Sequence, residues 1–275
     1  MITLFKLLSA WPLWLLHGVG AFLGWIVFVV SPAYRKRFLD NANLAGLSWL
    51  QKLGAVAQSG KLVAELPRVW LGQAVPVVWE GVEHVQEALA KGRGVVFLTP
   101  HLGCFEVAAQ AYAQRFGREG KPMTVLFRPP RQAWLREVVT ASRQRPGLQT
   151  APTSLSGVKQ MIKALKKGGS VGLLPDQVPP QGMGMMAPFF GREAYTMTLS
   201  VRLVQQTGAT VLLAWGERLG RGRGYRVHVQ PLAQKLPVTL LDAVTAVNQA
   251  MESLVLQCPQ QYLWGYARYK QPRQA

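Results

Sequence analysis

His101 and Glu106 stand five residues apart in the stretch Gly94-Val-Val-Phe-Leu-Thr-Pro-His-Leu-Gly-Cys-Phe-Glu106. A carboxylate at that spacing across a turn can reach one imidazole nitrogen and leave the other facing a cleft. Held in this way a histidine is a general base, because the carboxylate fixes its tautomer and stabilises the imidazolium that forms. Such pairs also arise by chance, and a histidine satisfied within the structure is the bland alternative. Position favours chemistry: the pair follows the apolar run Val95 to Leu98, sits behind Thr99-Pro100, and has Gly103 to permit close backbone approach. No Gly-x-Ser-x-Gly elbow offers a serine nucleophile. Cys104, at the start of the next helical pattern, reads as a small buried hydrophobe. The simplest reaction is then direct, with His101 removing a proton from a hydroxyl that attacks an activated acyl carbon. Glu106 aside, no second His or carboxylate falls at ligand spacing to His101, which argues against metal-assisted hydrolysis. Of the other histidines, His17 lies in an apolar stretch, His84 at a helix start, and His228 in a strand with no acid nearby in the sequence.

Val95 to Leu98 has the β-branched and aromatic composition of a buried strand bounded by Gly and Pro, and Cys104 onward reads as a helix. The pair therefore sits at a strand's carboxyl end, where open α/β sheets bind ligands. A second buried run, Val171 to Leu174, ends in Pro175-Asp176-Gln177 and delivers Asp176 to the same cleft, either to orient Arg128 or Arg143 or to cap the next turn. Further strands are expected at Val77 to Trp79, Met123 to Phe127 and Ala209 to Trp215, with a hairpin through Glu217 to Val229. Helices are expected at Val82 to Lys91, Ala133 to Arg143, Leu155 to Lys167, Thr198 to Gln206 and Asp242 to Leu256. Arg37 to about Trp70 is helical with a second short helix after Gly60, and Val178 to Gly191 is irregular, a Met-rich lip or a surface loop. The alternation predicts an α/β fold with a mixed, mostly parallel sheet flanked by helices.

Arg128 and Arg131 flank two prolines that hold a loop rigid, and Arg143 and Arg145 end the next helix, so forked guanidinium groups can be aimed at phosphate. In a chain with 31 Lys and Arg against 13 Asp and Glu, surface decoration is the competing account. The formal charge of +18 implies an anionic partner. Scattered basic residues and the lack of a recognised module argue against nucleic acid. With 49% aliphatic, aromatic and sulfur residues the chain is no disordered segment, and its two distant cysteines indicate neither a disulfide framework nor a zinc site. Leu13 to Val30 has only His17 as a polar interruption and is long enough to span or deeply penetrate a bilayer. It runs into Tyr34-Arg-Lys-Arg37 rather than a cleavage site, so residues 1–34 read as an uncleaved anchor ahead of an α/β domain at 35–275, with the basic cluster cytoplasmic. The competing account of Leu13 to Val30 is a buried helix.

Thr99-Pro-His-Leu-Gly-Cys-Phe-Glu106 resembles the His-x4-Asp/Glu motif of the glycerolipid acyltransferases. Together with Phe127-Arg-Pro129, Met161-Ile-Lys-Ala-Leu-Lys-Lys-Gly168 and Leu174-Pro-Asp-Gln177, it makes the chain similar to the lipid A biosynthesis acyltransferases, the lauroyl or myristoyl transferase family. The apolar start, the turn at Ser31 to Arg35 and the closing Gln261-Tyr-Leu-Trp264 fit as well. The resemblance implies an inner-membrane enzyme facing the cytoplasm. It would transfer a fatty acyl group from acyl carrier protein to a hydroxyl of a lipid A precursor, without a metal or bound cofactor. It makes His101 the base, Glu106 its partner, and Arg128, Arg143, Asp176 and Gln177 candidates for substrate binding; Arg131 joins them from its place beside the two prolines alone. Relatives of this kind also act on ornithine lipids or lysophospholipids, so the acceptor stays open. A different class, a non-catalytic basic protein of the membrane surface, predicts that His101→Ala leaves function intact.

Overall fold

The computed structural model describes residues 2–127, 132–143 and 145–272. Five helices come first: α1 (Ile2–Ser9), α2 (Leu13–Val30), α3 (Pro32–Leu44), α4 (Trp49–Ala64) and α5 (Leu66–Leu71). Ser31 separates α2 from α3, its hydroxyl accepting from the Tyr34 N–H with Pro32 in the first turn. Ser48 and Gln51 form a reciprocal capping box that starts α4. The helical stretch expected from Arg37 onward therefore breaks before Ser48 and again at Glu65, and α4 runs straight through Gly60. Gly60 is there for packing. A Cβ on it would lie 1.9 Å from the Gly20 carbonyl oxygen, so α2 and α4 meet backbone to backbone along Gly20, Gly24 and Gly60.

The sheet elements and their helices then alternate: β1 (Val77–Glu80), α6 (Val82–Ala90), β2 (Val95–Leu98), α7 (Phe105–Arg115), β3 (Met123–Phe127), α8 (Ala133–Arg143), β4 (Leu148–Pro152), α9 (Leu155–Lys166) and β5 (Ser170–Leu173). After them come β6 (Gly184–Phe189), β7 (Arg192–Met197), α10 (Leu199–Thr207), β8 (Thr210–Arg218), β9 (Tyr225–Pro231) and α11 (Leu240–Gln257). Seven strands form one sheet in the order β1-β9-β8-β2-β5-β3-β4. Every pairing is parallel except β8 with β9, so the fold is the mixed, mostly parallel α/β sheet expected. Every residue of β2 and β5 is buried, as strands covered on both faces require. Val96, Leu98, Val171 and Leu173 pack on one face with α3 and α11, while Val95 and Phe97 pack on the other with α7.

Two elements differ from expectation. β4 is an edge strand whose apolar content is confined to Leu148 and Ala151, too little for a strand signal. Within the Met-rich segment Val178 to Met183 is irregular as expected, but Gly184–Phe189 is a strand: β6 pairs with β7 as a separate antiparallel ribbon turning at Phe190-Gly191, both with positive φ. That backbone matches the primed turn a two-residue hairpin prefers, but Phe190 carries no composition signal for it. Met183 and Met186 are exposed.

Candidate active site

β2 and β5 are neighbours in register, Leu98 opposite Leu173, and the Thr99 N–H continues the ladder to the Leu173 carbonyl. Three residues beyond each strand end stand His101 and Asp176, brought to the same height by that register. Asp176 Oδ1 is 2.7 Å from His101 Nδ1, and Asp176 Oδ2 accepts the His101 backbone N–H at 2.9 Å. One carboxylate thus grips both the ring and the main chain of the histidine. Burial alone would push the Asp176 carboxyl up; the His101 charge and hydrogen bonds, with Arg268 behind, bring it below its ordinary value.

The sequence pairs His101 with Glu106, but the carboxylate on its imidazole is Asp176. Glu106 lies in the first turn of α7 and lines the same cleft as His101. Its charge acts on Arg145, where burial lowers the guanidinium from its ordinary value and Glu106 opposes the shift. Arg145 itself is structural: Nη2 donates to the carbonyls of Trp70 at 2.7 Å and Val69 at 3.1 Å, tying the end of α8 to α5. Gln177 lines the cleft. Arg128 and Arg131 lie outside the described residues. Arg143 closes α8, and its side chain lies outside them as well.

The turn that carries His101 is clamped from the far end of the chain. The Leu263 N–H donates to the His101 carbonyl, and the Gly103 N–H to the Gln261 carbonyl. Gly103 has φ +59°, and a Cβ there would lie 2.0 Å from the Gly216 carbonyl oxygen, so glycine is required. Arg268 is buried behind Asp176, donating to Tyr195 O at 2.7 Å and Thr196 Oγ1 at 2.6 Å. No spacing signal marks it, since 92 residues separate it from Asp176 in the chain (268 minus 176).

Two other histidines have partners the sequence hid. His17 Nε2 meets Glu65 Oε2 at 2.9 Å, and Glu65 also takes Arg218 Nη2 at 2.5 Å and the Tyr225 hydroxyl at 2.8 Å. Burial raises the Glu65 carboxyl, but Arg218 and His17 outweigh it and bring it to about 2. His228, expected to have no acid nearby, has Glu217 at 2.9 Å and Glu80 at 3.5 Å, because Glu217 and Glu80 stand on the two strands flanking β9.

The cleft has a volume of about 420 Å³, with His101, Glu106, Thr153 and Gln177 among the polar walls and Trp70, Phe127, Leu135 and Met197 among the apolar ones. Phe105, Ala109, Val125, Gly172 and Leu174 are shared with a smaller apolar cavity of about 50 Å³ that reaches Trp79, Tyr112 and Met123. A carboxylate-held imidazole at the wall of a largely apolar cleft can take a proton from a hydroxyl whose surroundings are hydrocarbon.

The family model for bacterial lipid A biosynthesis acyltransferases matches residues 57–271. The chain belongs to that family. The Escherichia coli (strain K12) lipid A biosynthesis palmitoleoyltransferase is 27% identical over 192 residues, 70% of this chain and 60% of that protein. The lauroyltransferase of the same strain is 28% identical over 192 residues, 69% of this chain and 60% of that protein. A Haemophilus influenzae lipid A biosynthesis acyltransferase is 26% identical over 184 residues, 67% and 56% of the two chains. The chain thus spans about 60% of the length of these relatives. The family match takes in His101, Glu106, Asp176, Gln177 and the clamping residues 261–268.

Proposed function

We propose that this lipid A biosynthesis acyltransferase family member transfers a fatty acyl group from the thioester of acyl carrier protein to a hydroxyl of a lipid A precursor. The setting is the cytoplasmic face of the bacterial inner membrane. The observation that carries the reading is the two-point grip of Asp176 on His101 at the wall of an apolar cleft. With Nδ1–H donated to Asp176, Nε2 is the nitrogen that accepts the proton of the acceptor hydroxyl. The resulting oxygen attacks the thioester carbonyl, and the tetrahedral intermediate collapses with loss of the thiolate. The thiolate takes the proton back from Nε2, so the base ends as it began. Asp176 stabilises the transient imidazolium, and Glu106 adds negative charge from the first turn of α7.

The acyl chain occupies the apolar part of the cleft and its smaller arm, where a methylene leaves water for hydrocarbon walls. Arg128, Arg131 and Arg143 are proposed to meet the phosphates of the acceptor, with Gln177 at the cleft wall. Part of the +18 charge attracts the acidic carrier protein and part the anionic lipid. The test is acyl transfer from acyl carrier protein to a purified lipid A precursor, read by mass spectrometry, with lysophospholipid and ornithine lipid as parallel acceptors. One added acyl unit on the lipid A precursor, reduced about 10²–10⁴-fold by His101→Ala, is expected. Transfer confined to another acceptor would move the assignment there, and full activity in His101→Ala would remove the base mechanism.

A further inference from the structure

α2 is the one helix among the described residues long and apolar enough to cross a membrane, and both of its neighbours are fastened to the catalytic body. Before it, α1 lies on α5: the Phe5 and Trp70 rings are 5.9 Å apart, and Arg68 Nη1 donates to the Ser9 carbonyl at 3.1 Å. After it, α3 buries Phe38 and Ala42 completely in the main core, and Asn41 Nδ2 donates to the carbonyls of Trp264 and Tyr266. α2 is itself held along its length. The backbone of Trp14 abuts Gly222, His17 bonds Glu65, and Gly20 and Gly24 press on Gly60.

A helix of 18 residues is about 27 Å long, close to the hydrocarbon thickness of a bilayer. To cross, it would have to leave α1 and α3 on opposite sides, yet both are packed on one body. α2 nevertheless presents an unpaired apolar face, with Trp14 62%, Phe22 66% and Val29 63% exposed, continued by Trp49 and Leu50 at the start of α4. Cations border that face at both ends, Arg35-Lys36-Arg37 beyond Val30 and Arg221 and Arg223 in the turn that meets Trp14.

We propose that α2 lies along the membrane, sunk by this face into one leaflet of an anionic bilayer, and does not span it. Tryptophan at the margin, large aliphatics between and flanking cations are what a helix lying in the headgroup region needs. Anionic lipid is the partner that satisfies both the apolar face and the bordering cations. The inference deepens the membrane setting of the proposed function and rests on that setting, though not on any acyl donor or acceptor.

The test is depth measurement on the full chain bound to phosphatidylglycerol and phosphatidylethanolamine vesicles. Trp14→Cys, Phe22→Cys, Trp25→Cys and Val29→Cys are spin-labelled one at a time, with the labelled parent, retaining Cys104 and Cys258, as the background. All four labels are expected at similar shallow depths of about 5–10 Å, because the axis runs parallel to the surface. A spanning helix instead gives a profile deepest at residue 22, with residue 14 about 12 Å shallower at 1.5 Å per residue. That profile would overturn the proposal, as would labels that meet no lipid or that broaden by contact with a second copy in solution. Acyl transfer measured on the same vesicles keeps the two readings apart: shallow, equal depths without transfer would remove the enzyme assignment and leave the lie of α2 standing.

Discussion

In the proposed mechanism Asp176 acts on His101 through the tautomer, so replacing its charge while keeping its shape is the sharpest residue-level experiment. Asp176→Asn is expected to lower kcat by about 10²–10⁴-fold with a smaller change in KM, because the amide no longer holds the ring as its base form. Glu106→Gln leaves the ring gripped and is expected to cost less; equal losses in the two variants would return the orienting role to Glu106. Behind Asp176, the charge of Arg268 helps hold the carboxyl below its ordinary value. A carboxyl held low stays ionised as pH falls and protonates only below that lowered value. Removing the cation raises the value, so Arg268→Gln is expected to move the acid limb of kcat to higher pH, and Arg268→Lys to move it back. An unchanged limb in a folded Arg268→Gln protein would show that the arginine only packs the ribbon. His101 was legible from its turn, but its partner was not. Asp176 is 75 residues away, and only the adjacency of β2 and β5 makes the two neighbours.

Among elements, the buried strands and amphipathic helices follow directly from hydrophobic pattern, because β2 is apolar throughout and β5 is polar only at Ser170, which pairs with the Tyr112 hydroxyl. The edge strand β4 and the β6–β7 ribbon were hidden, since their pairing depends on a register and a turn rather than on composition. The contact between α2 and α4 was hidden for the opposite reason: it is made of glycines, which read as helix weaknesses until their partner is seen. Gly60→Val places side-chain atoms against the Gly20 backbone, 1.9 Å from the first added carbon. Overpacking of this kind is expected to cost about 1–3 kcal/mol, measured by denaturant unfolding, and to loosen α2 before the sheet. Protease cleavage within α2 at denaturant concentrations that leave α/β circular dichroism intact would register that order.

At the scale of the whole molecule, the buried cluster of His17, Glu65, Arg218 and Tyr225 joins α2, the end of α4 and the β8–β9 edge. Arg218→Met leaves the Glu65 charge buried without its cation and is expected to destabilise the fold by about 3–5 kcal/mol. Glu65 has its carboxyl brought down to about 2 from an ordinary 4.5, so its contribution is fully present above about pH 4.5 and is lost as pH falls toward 2. Acid unfolding of the parent is expected in that window, with Glu65→Gln flattening the dependence.

The clamp formed by residues 261–268 on the His101 turn has a consequence for synthesis. A ribosome produces the glycine seam between α2 and α4 before the clamp, because Gly60 precedes residues 261–268 in the chain. The seam that holds α2 can therefore close before the His101 turn is tied down. The His101 turn stays untied until residues 261–268 are made, so under the proposed function the order of synthesis lets α2 meet lipid before transfer becomes possible.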